Sequence, residues 1–227
     1  DSNQAFSKIR NQLQQGYPEA VRLRRLAQET AWMAQRGQYN VPRLLQRNDK
    51  LTTMLAFSHF AESAMRAAHL CARSYAPYYK WLLHSTEQLP QGAELAALLQ
   101  KSTTLPLEQW ETEIIAPVCA IIARQMKEQG ISTQEESYMQ VHAEAAAQQA
   151  ALLEQKEVLV EKIARLEFSE FDKVKNEGVR AGCQDDWETF SIMRKSQYLT
   201  WELPMLEQYW AELQNASQRG WNLLTEK

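Results

Sequence analysis

The chain has 227 residues, 44% of them hydrophobic, and carries a net charge of −3. This composition supplies a sizeable core and excludes a disordered chain, while the charge provides no strong attraction to nucleic acid. No apolar run approaches the roughly 20 residues that span a bilayer, and the amino-terminal DSNQAFSKIR does not resemble a signal peptide. The three cysteines form no CxxC pair, so we expect reduced thiols in a cytoplasmic protein without membrane contact.

Sparse turn residues favour an all-α fold. Only 7 glycines and 7 prolines occur in the chain, whereas a sheet-rich fold needs frequent turns. Alanine, glutamine, glutamate and leucine are abundant, and all four favour helices. We therefore predict two packed helical units, arranged as a helical bundle with one long connecting helix.

The amino-terminal part of the chain is predicted to form several helices in succession. Apolar residues at helical spacing define a first helix that stops at Gly16. Pro18 suits the first turn of a second helix, which should end near Gly37. A short element with the sequence VPRLLQR follows, and the next helix is predicted from about Lys50 to Arg73.

Three further helices are predicted before the middle of the chain. Pro77 starts a short one, and a small one surrounds residues 95–99. The third covers residues 107–129 and should be kinked at Pro117, because proline removes a backbone hydrogen bond. Gly130 is expected to stop it.

The longest predicted helix runs from about residue 133 to residue 176, since nothing in that span interrupts the helical pattern. It would be ~65 Å long at 1.5 Å per residue. Its weakest apolar stripe lies at residues 140–156. We therefore expect the junction of two domains there, with a first domain at residues 1–145 and a second at residues 146–227.

The carboxy-terminal part is predicted to contain two more helices. One should run from about Asp185 to Trp201, and the other should start at Pro204. A final helix starting near Gly220 would be cut short, so we expect the second domain to be truncated at its carboxy terminus.

The most polar interruption of the helical pattern is NEGVRAGCQDDWETFSIMRKSQYLTW, residues 176–201. It places polar side chains at the start of a helix, where unpaired N–H groups and the positive dipole end favour anions. Asp186, Thr189 and Gln197 would share a helix face with large apolar side chains, as in the wall of a polar pocket, and Arg194 would lie on a neighbouring face. The candidate ligand-binding residues of this segment are Arg180, Cys183, Gln184, Asp185, Asp186, Thr189, Arg194 and Gln197.

These residues also have structural interpretations. Asp185 can cap the helix by accepting hydrogen bonds from its first N–H groups. Cys183 is either a nucleophile activated by the helix dipole and Arg180, or a buried structural thiol. The arginines Arg180 and Arg194 can also form an ion-pair network with Asp185 and Asp186, which would not by itself indicate a function.

No metal site is predicted. On a helix, Asp185 and Asp186 would diverge by about 100°, which is poor geometry for two ligands of one ion. His59 and Glu62 are three residues apart, but no second Glu-x-x-His pair is present to complete a carboxylate site. We expect Glu62 to pair with an arginine instead, because an unpaired buried carboxylate is costly.

A second group of candidate residues lies in GQYNVPRLLQRND, residues 37–49, and in PYYKW, residues 77–81. Arginine, lysine and asparagine can donate hydrogen bonds to phosphate or carboxylate, and tyrosine can stack on a base. The alternative is a solvated basic face with tyrosines wedged between helices. The candidate ligand-binding residues of this group are Asn40, Arg43, Arg47, Tyr78 and Lys80.

Two stretches resemble known families. GYPEAVRLRRLAQETAWMAQRGQYNVPRLLQRND, together with PYYKWLL, resembles the helical carboxy-terminal domain of an uncharacterised bacterial nucleotidyltransferase-like family, over roughly residues 6–145. LEFSEFDKVKNEGVRAGCQDDWETFSIMRKSQYLTW, together with WNLLTEK, resembles a second bacterial family of unknown function, over roughly residues 156–227. The second family typically has Gly-Gly where this chain has Gly178–Val179.

The first resemblance implies a function. In such nucleotidyltransferases a magnesium-binding palm precedes the helical domain, which helps to enclose the nucleotide or the acceptor. The Gly-Ser turn and paired-carboxylate strand of a palm are not found in this sequence, nor are GxGxxG, GxxxxGK[ST] or GxSxG. We therefore expect an accessory, substrate-binding helical region without a complete active site, belonging to a larger fusion.

Under this interpretation the residues at positions 40, 43, 47, 78 and 80 face the palm. No cofactor is evident, and a nucleotide with magnesium would bind only together with a palm carried elsewhere. The ligand is a nucleotide or another small polar molecule.

Two alternatives stay open. The chain is a small-molecule enzyme with a pocket around residues 180–197, or it is a scaffold that binds a protein partner, or a second copy of itself, through the long helix. The sequence does not decide whether the chain is an enzyme, and it identifies no substrate.

Overall fold

The computed structural model describes residues 4–174, 180 and 182–225, apart from the side chain of Cys183. No strand occurs among these residues, which confirms the predicted all-α class. The helices are α1 (Ala5–Gln14), α2 (Glu19–Trp32), α3 (Val41–Gln46), α4 (Lys50–Cys71), α5 (Tyr79–Glu87), α6 (Gly92–Gln100), α7 (Ala116–Glu128), α8 (Met139–Phe171), α9 (Trp187–Tyr198) and α10 (Leu203–Gln218). None of the described helices is both long and apolar enough to cross a membrane.

The chain divides into two compact units, which we call unit one (Asp1–Ala151) and unit two (Leu152–Lys227). The boundary between them falls within α8. In unit one, α4 packs against α2, α5, α6 and α7. The buried core of this unit includes Leu23, Leu26, Met33, Phe60, Ile114, Ile122 and Met126.

The prediction that the second helix ends near Gly37 is wrong. After α2 the chain continues as a π-helical segment, Met33–Asn40, and passes directly into α3. Gly37 lies inside this segment against the ring of Phe60, where a Cβ atom would come within 2.3 Å of Cδ2. The glycine is therefore needed for the close approach of two helices rather than for a helix end.

The helix predicted over residues 107–129 changes its hydrogen-bonding pattern instead of running as one α-helix. It begins with a 3-10 turn, Leu107–Gln109, and a π-helical segment, Glu111–Ile115. Helix α7 then starts at Ala116, one residue before Pro117. Because proline has no N–H group, the change of pattern at this point is consistent with the interruption that was predicted there.

The long helix starts at Met139, not at residue 133 as predicted, because hydrogen bonds from the side chains of Gln38 and His142 hold residues 132–138 outside the helix. The Gln38 amide donates to the Ser137 carbonyl at 2.7 Å and accepts from the backbone N–H of Met139 at 2.8 Å. The ring of His142 is fully buried, with its two nitrogens 2.8 Å from the Ser132 hydroxyl and 2.8 Å from the Glu136 carbonyl oxygen.

A buried arginine joins three helices of unit one. The side chain of Arg22 is 2% exposed and donates to both carboxylate oxygens of Glu19, at 2.9 and 2.6 Å. It also donates to the Leu70 carbonyl at 3.0 Å and to the Gln129 side chain at 3.2 Å. Arg73 donates to the same carboxylate at 2.6 Å. These contacts join α2 to the end of α4 and to the residue that caps α7.

We expect this network to make unit one sensitive to acid. The hydrogen bond from Arg22 lowers the pKa of Glu19 from 4.5 to about 2, against the opposing effect of burial. Since the folded-state pKa is the lower one, the stabilisation is fully present above about pH 4.5 and is lost as the pH falls toward 2. Because Glu19 is partly exposed, we expect a loss of only about 1–2 kcal/mol.

Urea denaturation at several pH values measures this effect. The free energy of unfolding of wild type should exceed that of Glu19→Gln at pH 7, and the difference should shrink as the pH approaches 2. If wild type and Glu19→Gln differed in free energy of unfolding by the same amount at pH 7 and near pH 2, the acid sensitivity would not come from Glu19.

Unit two is formed by the second half of α8 together with α9 and α10. Its buried core comprises Leu159, Val160, Ile163, Tyr198, Leu206 and Leu213. The helix predicted to start near Gly220 is not found up to residue 225. Helix α10 ends at Gln218, Gly220 has a φ of +71°, and the Asn222 side chain donates to the Glu170 carbonyl at 2.7 Å. These contacts fold the segment back in turns.

Candidate functional site

A buried carboxylate organises the centre of unit two. Glu167 on α8 is 0% exposed, and its Oε1 atom accepts hydrogen bonds from the Tyr198 and Tyr209 hydroxyls, each at 2.5 Å. Arg194 on α9 places its Nε atom 3.3 Å from Oε2. We call these four residues the Glu167 cluster. Its members come from three different helices, so it positions α9 and α10 on α8.

The two tyrosines of the cluster act as fixed donors. Burial is the largest cause that raises the pKa of Tyr198, and the hydrogen bond to Glu167 raises it further. The same two causes raise the pKa of Tyr209 to about 12. Both hydroxyls therefore keep their protons at neutral pH and can donate to the carboxylate throughout the physiological range.

The second carboxylate oxygen has a different environment. Oε2 of Glu167 is buried, and no described residue donates a hydrogen bond to it with acceptable geometry. The contact with Arg194 is therefore an electrostatic one at 3.3 Å rather than an aligned hydrogen bond. By contrast, the nearby Glu170 accepts from Lys173 at 2.8 Å and from the Ser217 hydroxyl at 3.0 Å.

A cavity of about 320 Å³ opens beside the Glu167 cluster, and we call it the α9 cavity. Arg194 is common to both, since its Nε atom lies 3.3 Å from Oε2 of Glu167 and the residue also lines the cavity. Within the described part of the chain, the rest of the lining is apolar or neutral and contains no acidic side chain. The lining consists of Phe171, Thr189, Phe190, Met193, Arg194 and Gln197.

Five of the candidate residues of the segment 176–201 fall into two groups. Thr189, Arg194 and Gln197 meet at the α9 cavity. Arg180 pairs with Asp172 and with Asp185, whose carboxylate lies 2.9 Å from its Nη2 atom. This pair lowers the pKa of Asp185. The predicted ion pair between Arg180 and Asp185 is therefore present, while Arg194 uses Glu167 instead.

Asp186 and Gln184 have structural contacts. Asp186 is the N-cap of α9 and accepts from the backbone N–H of Thr189 at 3.0 Å, a contact that lowers its pKa. Gln184 is buried and donates to the carbonyls of Phe171 and Val174, at 2.8 and 3.0 Å. Neither residue belongs to the lining of the α9 cavity. The side chain of Cys183 and the pair Gly178–Val179 lie outside the described residues.

In unit one, the candidate residues of the segment 37–49 lie on a continuous helical stretch. The guanidinium of Arg43 stacks on the ring of Tyr39, 3.9 Å from its centroid. Arg47 is exposed at the end of α3, and Asn40 ends the π-helical segment. The same arrangement occurs seven residues earlier in the chain, where the guanidinium of Arg36 stacks on Trp32, 4.3 Å from the ring centroid.

The candidate residues near residue 78 form a separate exposed group. Tyr78 and Tyr79 are both largely exposed, with ring centroids 4.5 Å apart. Lys80 lies over the ring of Trp81 at 5.5 Å. Among residues 4–174, no hydrogen bond, ion pair or ring contact joins this group to Arg43 or its neighbours.

A polar cavity of about 340 Å³ lies beside the stacked Arg36, and we call it the α2–α4 groove. It was not predicted as a ligand site. Glu62 in this groove pairs with Arg66 at 2.8 Å, which confirms the expected arginine partner. Burial raises the pKa of Glu29, whose Oε2 atom has no hydrogen-bond partner among the described residues. The lining residues are Glu29, Trp32, Arg36, His59, Glu62, Ser63 and Arg66.

Comparison with known proteins divides the chain in two parts. Residues 1–82 match a family model described as a domain of unknown function (DUF4037). Residues 157–227 match another, described as a protein of unknown function (DUF4125). No curated protein and no solved structure matches the chain. Each of the two matches covers less than half of the chain, and each lies within one of the two units.

Proposed function

We propose that unit one is the accessory, nucleotide-binding helical region of a nucleotidyltransferase-like protein, and that it acts together with a magnesium-binding palm carried on another segment. The match of residues 1–82 to DUF4037, a nucleotidyltransferase-like family, supports the class of protein. The absence of any strand among the described residues supports a palm located elsewhere.

The observation that carries the proposal is the repeated arginine–aromatic stack. Arg36 lies over Trp32 and Arg43 lies over Tyr39, each four residues after its aromatic partner. A stacked guanidinium keeps the N–H groups along its edge available, and those groups match the oxygens of a phosphate. The chain has no acidic residue between positions 30 and 48. This surface can therefore bind a polyphosphate without competing carboxylates of its own segment.

The α2–α4 groove lies next to the first stack and supplies space for the rest of the ligand. Its 340 Å³ lies within the usual range for small-molecule sites. Arg36 also donates to the Ser63 hydroxyl at 3.3 Å, which fixes the guanidinium at the edge of the groove. The pairing of Glu62 with Arg66 offsets one of the two negative charges there.

In this proposal the chain binds and orients, while the palm supplies the metal-dependent chemistry. Arg36 and Arg43 would hold the phosphates. Trp32 and Tyr39 keep the two guanidinium groups in place, so little side-chain freedom is lost on binding. The exposed Tyr78 and Lys80 are candidates for contacts to the acceptor or to the palm.

Calorimetric titration with ATP and CTP tests this proposal. Wild type should bind a nucleoside triphosphate, and Arg36→Gln and Arg43→Gln should each weaken binding about tenfold or more, as expected for loss of a charge-assisted contact. Affinity should also fall as the salt concentration rises.

Two exposed arginines serve as matched controls. Arg10→Gln on α1 and Arg219→Gln after α10 remove the same charge without touching the proposed site, and should change the affinity little. If all four variants lost the same amount of nucleotide affinity, the nucleotide would be attracted by the overall charge and not by the proposed site. Absence of saturable binding by wild type would refute the proposal.

A further inference from the structure

The α9 cavity in unit two has the features of a separate small-molecule site. It combines apolar walls from Phe171, Phe190 and Met193 with one cationic group and two neutral polar ones. A concave, largely apolar site with a few convergent polar groups is typical of small-molecule binding. It lies outside the unit in which we propose nucleotide binding, so it requires its own explanation.

Arg194 is held in place by Glu167 and Phe190. Its Nε atom faces the buried Glu167, and its guanidinium lies 5.5 Å from the centroid of Phe190. Glu167 is in turn fixed by the two tyrosine hydroxyls. Within the described residues, Arg194 donates no hydrogen bond, and its ion pair with Glu167 is closest at Nε. A guanidinium fixed through Nε leaves its terminal N–H groups free for an acceptor in the cavity.

The lining of the α9 cavity indicates that the ligand carries a negative charge. Among the residues that the structure describes, Arg194 is the one charged member of the lining, and no acidic side chain belongs to it. Thr189 and Gln197 can each donate a further hydrogen bond, which suits an oxyanion. The three apolar side chains would contact the remainder of the ligand.

We propose that the α9 cavity binds a small molecule in which a carboxylate or a phosphate is joined to an apolar body, with Arg194 pairing with the anion. The volume of about 320 Å³ accommodates an aromatic ring with a short acidic side chain. The Glu167 cluster then has a positioning role, since it presents Arg194 to the cavity.

Three simple compounds test the proposal: 3-phenylpropionate, phenyl phosphate and the uncharged 3-phenylpropionamide. Binding to the full chain is followed through the backbone amide signals of α9 by NMR. At least one of the two anions should bind about tenfold or more tightly than the amide, as expected for a charge-assisted pair. The tighter of the two anions identifies whether the site is built for a carboxylate or a phosphate.

Variants at two positions separate the effect of charge on anion binding from the effect of a substitution on the fold of unit two. Arg194→Gln should abolish the preference for the anion, but it also leaves Glu167 without its charged neighbour. Gln197→Glu and Gln197→Lys leave the Glu167 cluster intact and change only the rim, so the first should weaken anion binding severalfold and the second should not. Arg219→Gln is the control outside the cavity.

The proposal fails if the amide binds as tightly as both anions, if neither anion shifts the α9 signals at millimolar concentration, or if Gln197→Glu and Gln197→Lys behave alike. None of these results would bear on nucleotide binding by unit one, because the two proposals use different probes and different residues.

Discussion

Replacing Glu167 with alanine is expected to lower the free energy of unfolding of unit two by about 3–5 kcal/mol. The carboxylate is fully buried and accepts from two tyrosine hydroxyls, while Arg194 lies 3.3 Å from its other oxygen. Its removal takes the carboxylate acceptor away from the buried Tyr198 hydroxyl, the partly buried Tyr209 hydroxyl and the partly buried Arg194. For a unit of this size, such a loss is a large fraction of the total stability.

Urea denaturation followed by circular dichroism measures this loss. Glu157→Ala, an exposed glutamate on the same helix, is the matched control and should change the free energy of unfolding by less than about 0.5 kcal/mol. Glu167→Gln keeps the shape and one acceptor, so it should fall between the two. If Glu167→Ala and Glu157→Ala lose the same amount, the cluster does not stabilise the unit as described.

Replacing Arg22 with alanine is expected to lower the free energy of unfolding of unit one by about 2–4 kcal/mol. The side chain is 2% exposed and fills space between α2, α4 and α7. Its loss removes a donor from the Leu70 carbonyl, which keeps the backbone N–H of Arg73, and from the Gln129 side-chain oxygen. Glu19 keeps Arg73 as a partner, which limits the electrostatic part of the loss.

The same denaturation experiment with Arg10→Ala provides the control, because Arg10 is exposed on α1. Arg22→Lys is the more informative variant. Lysine retains the charge but cannot contact Glu19, Leu70 and Gln129 at once, so most of the loss should persist. Full stability of Arg22→Lys would mean that charge alone, and not the forked geometry, joins the helices.

Local sequence patterns predicted the presence of the helices better than the residues at which they begin and end. Scarce glycine and proline were sufficient to predict the all-α class. Gly37 was taken as a helix end, but its role depends on Phe60, which is 23 positions away in the chain. The start of α8 likewise depends on Gln38, about 100 residues earlier. Such tertiary contacts override local signals and cannot be read from a single sequence.

The same limit explains what could be predicted of the α9 cavity. The spacing predicts Asp186, Thr189 and Gln197 on one helix face. Thr189 and Gln197 line the cavity, whereas Asp186 caps α9 instead. Arg194 was expected on a neighbouring face, yet it also reaches the cavity beside Glu167. Glu167 itself was not identified, because its tyrosine partners lie 31 and 42 positions away. The sequence did contain one indication that Glu167 is buried. It follows Ile163 by four residues and therefore lies on the same, buried face of α8.

The most direct test of nucleotide binding by unit one is to map the backbone amide shifts of the ¹⁵N-labelled chain during titration with ATP. We predict saturable shifts concentrated in the π-helical segment Met33–Asn40, in α3 and around Arg66, with α9 and α10 unaffected. Shifts confined to unit two, or no saturable shift at all, would contradict the proposed function.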